Sequence, residues 1–317
     1  MKKVLIITSR SEKTVSWAER ERFVAEFCEK VSAKLDDITL IYTTYSDLVY
    51  TVKSDKTKIF DTRNKIDLAE VDLVHFKNWS HNTGEAPVIA AYLRANRTLF
   101  FNSEVNLPIA PGKLAQMFLL ARNKVPVPDT FYASRLKLKE LFTKNELPEG
   151  FNFPLILKAN DGSKGNDNYL IKDGKEAANI LESAEADKQF IVQNFVPNDG
   201  DYRYLFVGLD KKPLVIHRQA NDDNHLNNTS KGANAGFLDV GSLPDEYLQY
   251  ARKTAELLGR EISGVDILVN KENGKAYVLE ANGTPAIATG FGTDEKVEHF
   301  VDFLKEQLGN LNDETEE

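Results

Sequence analysis

The chain has 317 residues, long enough for two domains, or three small ones, each with its own core. Hydrophobic residues at 42% and charged residues at 28% describe an ordinary globular protein. With 48 acidic against 40 basic residues, net −8, it lacks the basic footprint of a nucleic-acid binder, and no run approaches the roughly 18 apolar residues of a membrane span.

MKKVLIIT starts basic, but its apolar run is too short for a signal peptide, so a cytoplasmic protein is expected. VLIIT (4–8) reads as a buried parallel strand. In AERERFVAEFCEKVSAKL (18–35), Phe23, Phe27, Val31 and Leu35 recur at helical spacing, which predicts a helix with Cys28 as a packed thiol. Strands are expected at 38–42, 48–52 and 71–76, a helix at 86–97 and a strand at 98–101. This alternation predicts a Rossmann-like α/β domain with a parallel sheet over 1–107. No GxGxxG loop follows the first strand, so the domain is expected to be a scaffold or substrate platform.

A boundary falls near NLPIAPG (106–112), followed by a helix at 113–124 and the proline-rich, extended VPVPDTF (125–131). Beyond about residue 150 the strands FPLILKA, QFIVQNFV, YRYLFVGL, KPLVIHRQ, GVDILVN and KAYVLEAN alternate with Gly, Asn and Asp turns, and the chief helices are 245–259 and 297–309. This half reads as α+β with antiparallel sheets, divided into 108–192 and 193–310, with 311–317 as an acidic disordered tail.

Four stretches carry chemistry. In PLILKANDGSKGNDNYLI (154–171) a strand delivers Lys158 opposite a turn holding Gly162, Ser163 and Gly165, a pattern that suits phosphate or, otherwise, a plain hairpin with a solvated lysine. In IVQNFVPNDGDYRYLFVGL (191–209) the extended backbone at Asn194, Phe195 and Val196 can bond an adenine edge, and Asp201, on one strand face with Arg203, can hold ribose hydroxyls; the alternative is a surface hairpin with a cross-strand ion pair. The polar segment 217–235, with Arg218, His225, Asn227, Asn228 and Lys231, is either a disordered loop or a catalytic loop that orders around anions. Asp266 sits among apolar residues of a strand, where an acid needs a partner or a metal. In YVLEANGTP (277–285), strand alternation points Glu280 and Asn282 the same way, and the NKENGK hairpin brings Asp266 near them. Three oxygen ligands of this kind suit Mg²⁺.

From about Lys113 to about residue 292 these segments, in order, resemble the ATP-grasp superfamily of carboxylate–amine ligases, most closely its RimK and glutathione-synthetase branch. The resemblance implies that Lys113 and Lys158 bind ATP phosphates, that Gln193-Asn194-Phe195-Val196 is the adenine hinge, and that Asp201-Tyr202-Arg203 is the Asp-x-Arg that follows. It further implies Arg218, Asn228 and Lys231 for the arginine strand and Asn-rich loop, and Asp266, Glu280 and Asn282 as ligands of two Mg²⁺ ions, with Mn²⁺ as a substitute. The chain departs from the pattern at Asn194 (usually Glu), at the two-glycine loop GSKGNDN, at Leu226 beside His225, and at Lys231 (usually Arg). These departures bear on the acceptor more than on ATP.

The activity implied is amide formation through an acylphosphate, with Arg218 and Lys231 holding the carboxylate and the developing oxyanion. The partners implied are ATP, a carboxylate and an amine or hydroxyl acceptor, small molecule or peptide; nucleic acid and membrane are not expected, and a homo-oligomer is compatible. Esters or amide crosslinks within a precursor peptide, and a non-catalytic ATP-binding protein, are the alternatives. HFKNWSHN (75–82), after a strand end, is a candidate lining of the acceptor site, with a plain surface loop as the other reading.

Overall fold

The computed structural model describes residues 1–9, 17–107, 112–162, 167–185, 187–219 and 234–313. The N-terminal part runs β1 (Lys2–Thr8), α1 (Trp17–Ser32), β2 (Ile38–Thr44), β3 (Leu48–Val52), β4 (Thr57–Asp61), β5 (Ile66–Asp67), β6 (Leu73–Lys77), α2 (Glu85–Ala95) and β7 (Leu99–Phe101). A parallel sheet takes the order β2-β1-β6-β7. Its central strand is buried on both faces: Val4 and Ile6 join a core with Phe27 and Val31 of α1, whereas Leu5 and Ile7 join Ile89 and Leu93 of α2. That two-sided burial is why VLII is continuously apolar. Two expectations change. Residues 48–52 form a strand, but in a separate antiparallel sheet β3-β4-β5. Phe23 is 41% exposed, unlike Phe27, Val31 and Leu35, and has Arg22 stacked 5.5 Å from its ring centroid. Cys28 is buried, and burial pushes its thiol up to about 12.

The middle of the chain adds α3 (Lys113–Arg122), β8 (Thr130–Tyr132), α4 (Arg135–Lys144), β9 (Leu155–Ala159), β10 (Asn168–Ile171), α5 (Gly174–Ser183) and β11 (Phe190–Asn194). An antiparallel sheet, β10-β9-β11-β8, packs Leu155, Leu157 and Val192 against Leu138 and Phe142 of α4 and Ala177 and Leu181 of α5. Neither helix was expected. They approach so closely that a Cβ on Gly174 would lie 2.3 Å from the Phe142 carbonyl oxygen.

Next come β12 (Asp201–Val207), β13 (Leu214–Gln219), β14 (Asn234–Leu238), α6 (Asp245–Leu257), β15 (Ile262–Val269), β16 (Ala276–Asn282) and α7 (Thr293–Asp313). Their antiparallel sheet takes the order β14-β13-β12-β15-β16. One face is covered by α6 and also by α3, whose Met117 and Leu120 meet Val265, Ile267 and Val278. Helix α3, expected in the central unit, therefore packs with the C-terminal sheet. Helix α7 starts four residues before the expected 297, and it packs Phe300, Phe303 and Leu304 against Val4, Ile6 and Phe27 as well as Leu205 and Ile262. It also runs through Asp313, so the first part of the expected tail is helical.

Asn102 fastens the parallel sheet to the C-terminal one. Its amide donates to the carbonyls of Ile262 (2.9 Å) and Gly283 (3.0 Å), and its oxygen accepts from the Ile262 amide (2.8 Å).

Candidate active site

Four elements bring charged side chains together between the central and C-terminal sheets. Lys158 pairs with Asn168 and Ile191 near the end of β9 and is 7% exposed. Burial pushes its amine down to about 8; Glu280 and Asp266 oppose that shift and Lys113 adds to it. Lys113 opens α3, and Asn160 holds it there. The Lys113 amide donates to the Asn160 carbonyl (3.0 Å), and the Leu114 amide donates to Asn160 Oδ1 (2.8 Å). The Lys113 ammonium donates to the Gly162 carbonyl and lies 3.9 Å from Glu280 Oε2. Asn160 was not picked out in the sequence; a carboxamide directly after the strand bearing Lys158 was its one signal.

The hinge segment leaves β11 toward β12. Gln193 is buried and donates to Thr130 Oγ1 (2.7 Å). Asn194 is tied down by its amide to the Asp129 carbonyl (3.0 Å) and by Nδ2 to the Gly150 carbonyl (3.0 Å), which leaves Oδ1 as its acceptor. Phe195 is half-buried and Val196 buried. The Lys271 amide donates to the Pro197 carbonyl (2.9 Å), joining the hinge to the β15–β16 turn.

Asp201, Arg218, Asp266 and Arg203 form one buried chain of charges on the face of the C-terminal sheet opposite α6. Strand register makes it: Asp201 pairs with Arg218, Arg203 with Asp266, and Asp266 with Glu280. Arg218 forks onto Asp201 at 2.7 and 2.8 Å and reaches Asp266 at 2.9 Å. Arg203 forks onto Asp266 at 2.7 Å through both contacts. Asp201 and Arg203 are thus in cross-strand ion pairs, as the alternative reading had it, but with Arg218 and Asp266 and away from the surface. Burial, outweighing the guanidinium it shares with Asp266, raises the Asp201 carboxyl to about 7. Two guanidinium groups overcome burial at Asp266 and hold its carboxyl below the usual range.

The pairing of β15 with β16 slips between Asp266 and Ile267, leaving Leu279 unpaired. This bulge lets Val278 and Ala281 both enter the core, while Glu280 and Asn282 keep the Asp266 face. Asn282 is exposed, and its Oδ1 accepts from the Thr284 amide (3.4 Å). Among the described residues, no three His, Cys, Asp or Glu side chains are placed to hold a metal by themselves. The expected set is all oxygen, as a hard cation also bound to phosphate requires, but both Asp266 oxygens accept from Arg203 and Arg218 here, so Glu280 and Asn282 are the ligands left free for it.

The turn after Asn282 is clamped. Lys296 donates to the carbonyls of Ala286 (2.6 Å) and Thr289 (2.7 Å), and burial, helped by Arg203, pushes its amine down to about 8. From the N-terminal side, the Asn78 amide donates to Thr284 Oγ1 (3.2 Å). Trp79 donates to Glu104 (2.8 Å), which accepts from Arg260 (2.5 Å), and Arg260 in turn reaches the Ala281 carbonyl. The 75–82 segment is therefore bonded to the turn after Asn282 and linked through Glu104 and Arg260 to the strand that carries Glu280. Ser163, Gly165, His225, Leu226, Asn227, Asn228 and Lys231 lie outside the described residues.

The sequence profile of the RimK-like ATP-grasp domain matches residues 110–302. The chain is 30% identical over 227 residues to the "Alpha-aminoadipate--LysW ligase LysX" of Sulfurisphaera tokodaii, covering 69% of this chain and 74% of that one. It is 28% identical over 209 residues to a "Probable alpha-L-glutamate ligase" of Syntrophotalea carbinolica, covering 63% of this chain and 66% of that relative's length. Solved structures share the fold at low identity. D-alanyl-alanine synthetase A from Vibrio cholerae has a TM-score of 0.65 at 14% identity, covering 98% of each chain. The RiPP-associated ATP-grasp ligase of Chryseobacterium gregarium, in complex with ADP and a leader and core peptide, has a TM-score of 0.60 at 13% identity, covering 97% of each. The profile spans more than half of the sequence, so the chain belongs to the RimK-like ATP-grasp domain family, and the relatives named here are ligase enzymes.

Proposed function

We propose that this chain is an ATP-dependent carboxylate–amine ligase that forms an amide through an acylphosphate. The observation that carries the reading is the meeting of Lys113, Lys158, Asp266 and Glu280, from four separate elements, between the central and C-terminal sheets. Two lysines with little anion of their own suit a triphosphate, and the facing carboxylates suit its metal.

In this reading Lys113, Lys158 and the loop with Gly162, Ser163 and Gly165 bind the phosphates. Gln193 to Val196 hold adenine, Asp201 and Arg203 lie on the nucleotide side, and Asn228 belongs to the loop that closes over it. Asp266, Glu280 and Asn282 would hold Mg²⁺, one or two ions, which would neutralise phosphate charge. A substrate carboxylate oxygen attacks the γ-phosphorus and ADP leaves. An amine then attacks the acyl carbon, phosphate leaves, and the amine proton passes to solvent. Arg218 holds the carboxylate and the developing oxyanion together with Lys231. Its Nε and Nη2 are committed to Asp201 and Asp266, which leaves Nη1 for substrate.

The names of the relatives favour an amino acid joined to a small molecule or to a protein tail. Crosslinking of a precursor peptide has only the likeness of fold behind it. The test is ADP release with Mg·ATP against a panel of amino acids, dicarboxylates and peptides. Acceptor-dependent ADP release supports the ligase. Tight Mg·ATP binding with no acceptor-dependent turnover across the panel would favour a non-catalytic nucleotide-binding protein instead.

A further inference from the structure

Lys77 ends β6 at the carboxyl edge of the parallel sheet, paired with Thr8 at the end of β1. Ligands of open α/β sheets bind at this edge. Strand alternation turns Lys77 to the same face as Leu73 and His75, toward α1 and α7. Its amine lies 5.7 Å from the Phe27 ring centroid, and the His75 ring lies 6.2 Å from that of Phe300. Burial keeps His75 neutral, at about 3, so the imidazole brings no charge to this face. Burial also pushes the Lys77 amine below its usual range, and the Cys28 thiol opposes that shift. Among the described residues no carboxylate forms an ion pair with Lys77.

A second observation links this strand end to the proposed site. The residue after it, Asn78, is in the left-handed region (φ 54°), which turns the chain over the sheet edge. The Asn78 amide donates to Thr284 Oγ1 (3.2 Å), and the Thr284 amide donates to Asn282 Oδ1 (3.4 Å). Ile287 and Ala288 of the same turn join the apolar cluster of Phe27 and Phe300. Lys77 is thus one residue away from a hydrogen-bonded chain ending at Asn282, where the phosphoryl group is proposed to transfer.

We propose that Lys77 anchors a second carboxylate of the substrates, not the one being phosphorylated, and so selects an acidic amino acid or peptide over its amide. This rests on the ligase reading above: one carboxylate is committed to the γ-phosphate, and Lys77 lies on the platform side of that point. An anion there would meet a partly desolvated ammonium and pair with it strongly.

The test is calorimetric titration of the full chain, saturated with Mg²⁺ and a non-hydrolysable ATP analogue, with L-glutamate, L-2-aminoadipate and L-glutamine as probes. The parent is expected to bind one of the acids at least about tenfold more tightly than glutamine. Lys77→Met keeps the stem over Phe27 and should weaken that acid about tenfold to hundredfold, the range for a charged hydrogen bond, with glutamine unchanged. Lys77→Arg, which keeps the charge, should retain most of the preference, and it stands in as a folded comparison should Lys77→Met misfold. A parent without preference for either acid, or a Lys77→Met variant that keeps it, overturns the proposal. So does a Lys77→Arg variant that loses the preference as fully as Lys77→Met does. Analogue binding, measured first, separates the two readings: if the parent does not bind the nucleotide, the ligase reading itself fails, and if it does, only the role of Lys77 is at stake.

Discussion

Lys158→Met separates a phosphate-binding lysine from a structural one because the two roles predict effects of opposite sign. The amine is buried, and its shift from 10.5 to about 8 means that the folded protein disfavours the charged form by roughly 3 kcal/mol. Below about pH 8 that penalty is fully present; it fades as pH rises toward 10.5, where the unfolded chain also loses the proton. The parent should therefore gain stability between pH 8 and 10.5 by this group, whereas Lys158→Met should melt higher than the parent at pH 7 and lack that gain. Nucleotide binding should move the other way. A triphosphate on the ammonium raises its pKa again, so binding takes up a proton above about pH 8, and affinity falls by at most one log unit per pH unit. Removing the amine should cost about 1.5–3 kcal/mol of binding, roughly tenfold to hundredfold in Kd, and flatten this pH dependence. Titration calorimetry of Mg·ATP analogue in two buffers of different ionisation enthalpy reads both quantities. Lys296 is an internal control: its amine is also near 8 but is held by two carbonyls, so Lys296→Met should leave nucleotide-linked proton uptake unchanged. Parental affinity and parental proton uptake in Lys158→Met would refute the reasoning.

Glu280→Gln should leave melting within about 0.5 kcal/mol of the parent, since its carboxylate is a third exposed and its one ion pair among the described residues, to Lys113, is long at 3.9 Å, yet stabilisation by Mg·ATP should largely vanish; equal stabilisation in both proteins would exclude a metal role. Asn102→Ala strands the Ile262 amide and two carbonyls in a buried junction and should cost about 2–4 kcal/mol in urea unfolding, with a parental midpoint counting against it. Phe300→Ala should cost about 3–5 kcal/mol and speed hydrogen exchange in β1 and α1 as well as in α7; exchange confined to α7 would mean that the helix is not a shared core element.

Elements with a strong period were legible in the sequence, and their partners were not. The strand at 4–8 needed only its apolar run, and α1, α3 and α6 only their stripes. Phe23 shows the limit of that reading. An i, i+4 series drifts about 40° around a helix at each step, so the four residues from Phe23 to Leu35 cannot all share one face, and Phe23 falls outside it. Helices α4 and α5 were overlooked although their starts were marked: Ser134 accepts from the Lys137 amide, and Asp173 from the Glu176 amide. For Asp266 the sequence said that an acid within an apolar strand needs a partner, and hairpin logic supplied Glu280. Arg203 and Arg218 come from β12 and β13, and that pairing depends on strand order in a five-stranded sheet, which no local pattern encodes. Lys296 escaped notice for the same reason, since its carbonyl partners belong to an irregular turn.

The distribution of cores explains why the charge at Lys158 stays uncompensated by its own sheet. The parallel sheet and the C-terminal sheet share one apolar cluster through α7, and Asn102 and the Trp79–Glu104–Arg260 chain tie them further. Glu280, Asn282 and Lys77 therefore belong to a single packed body. The central sheet, with α4 and α5, has a core drawn only from its own residues, and it meets that body through the Asn160 contacts with α3 and the backbone at the hinge. Few apolar contacts would be lost if it shifted, so it is the unit that can move at least cost. Lys158 stands on the inner strand of that unit, with the carboxylates nearest to it on the other body. A polyanion entering between the two bodies would therefore meet Lys158 on one and Lys113, Asp266 and Glu280 on the other. The same arrangement would make closure favourable only when the phosphates are there to join them.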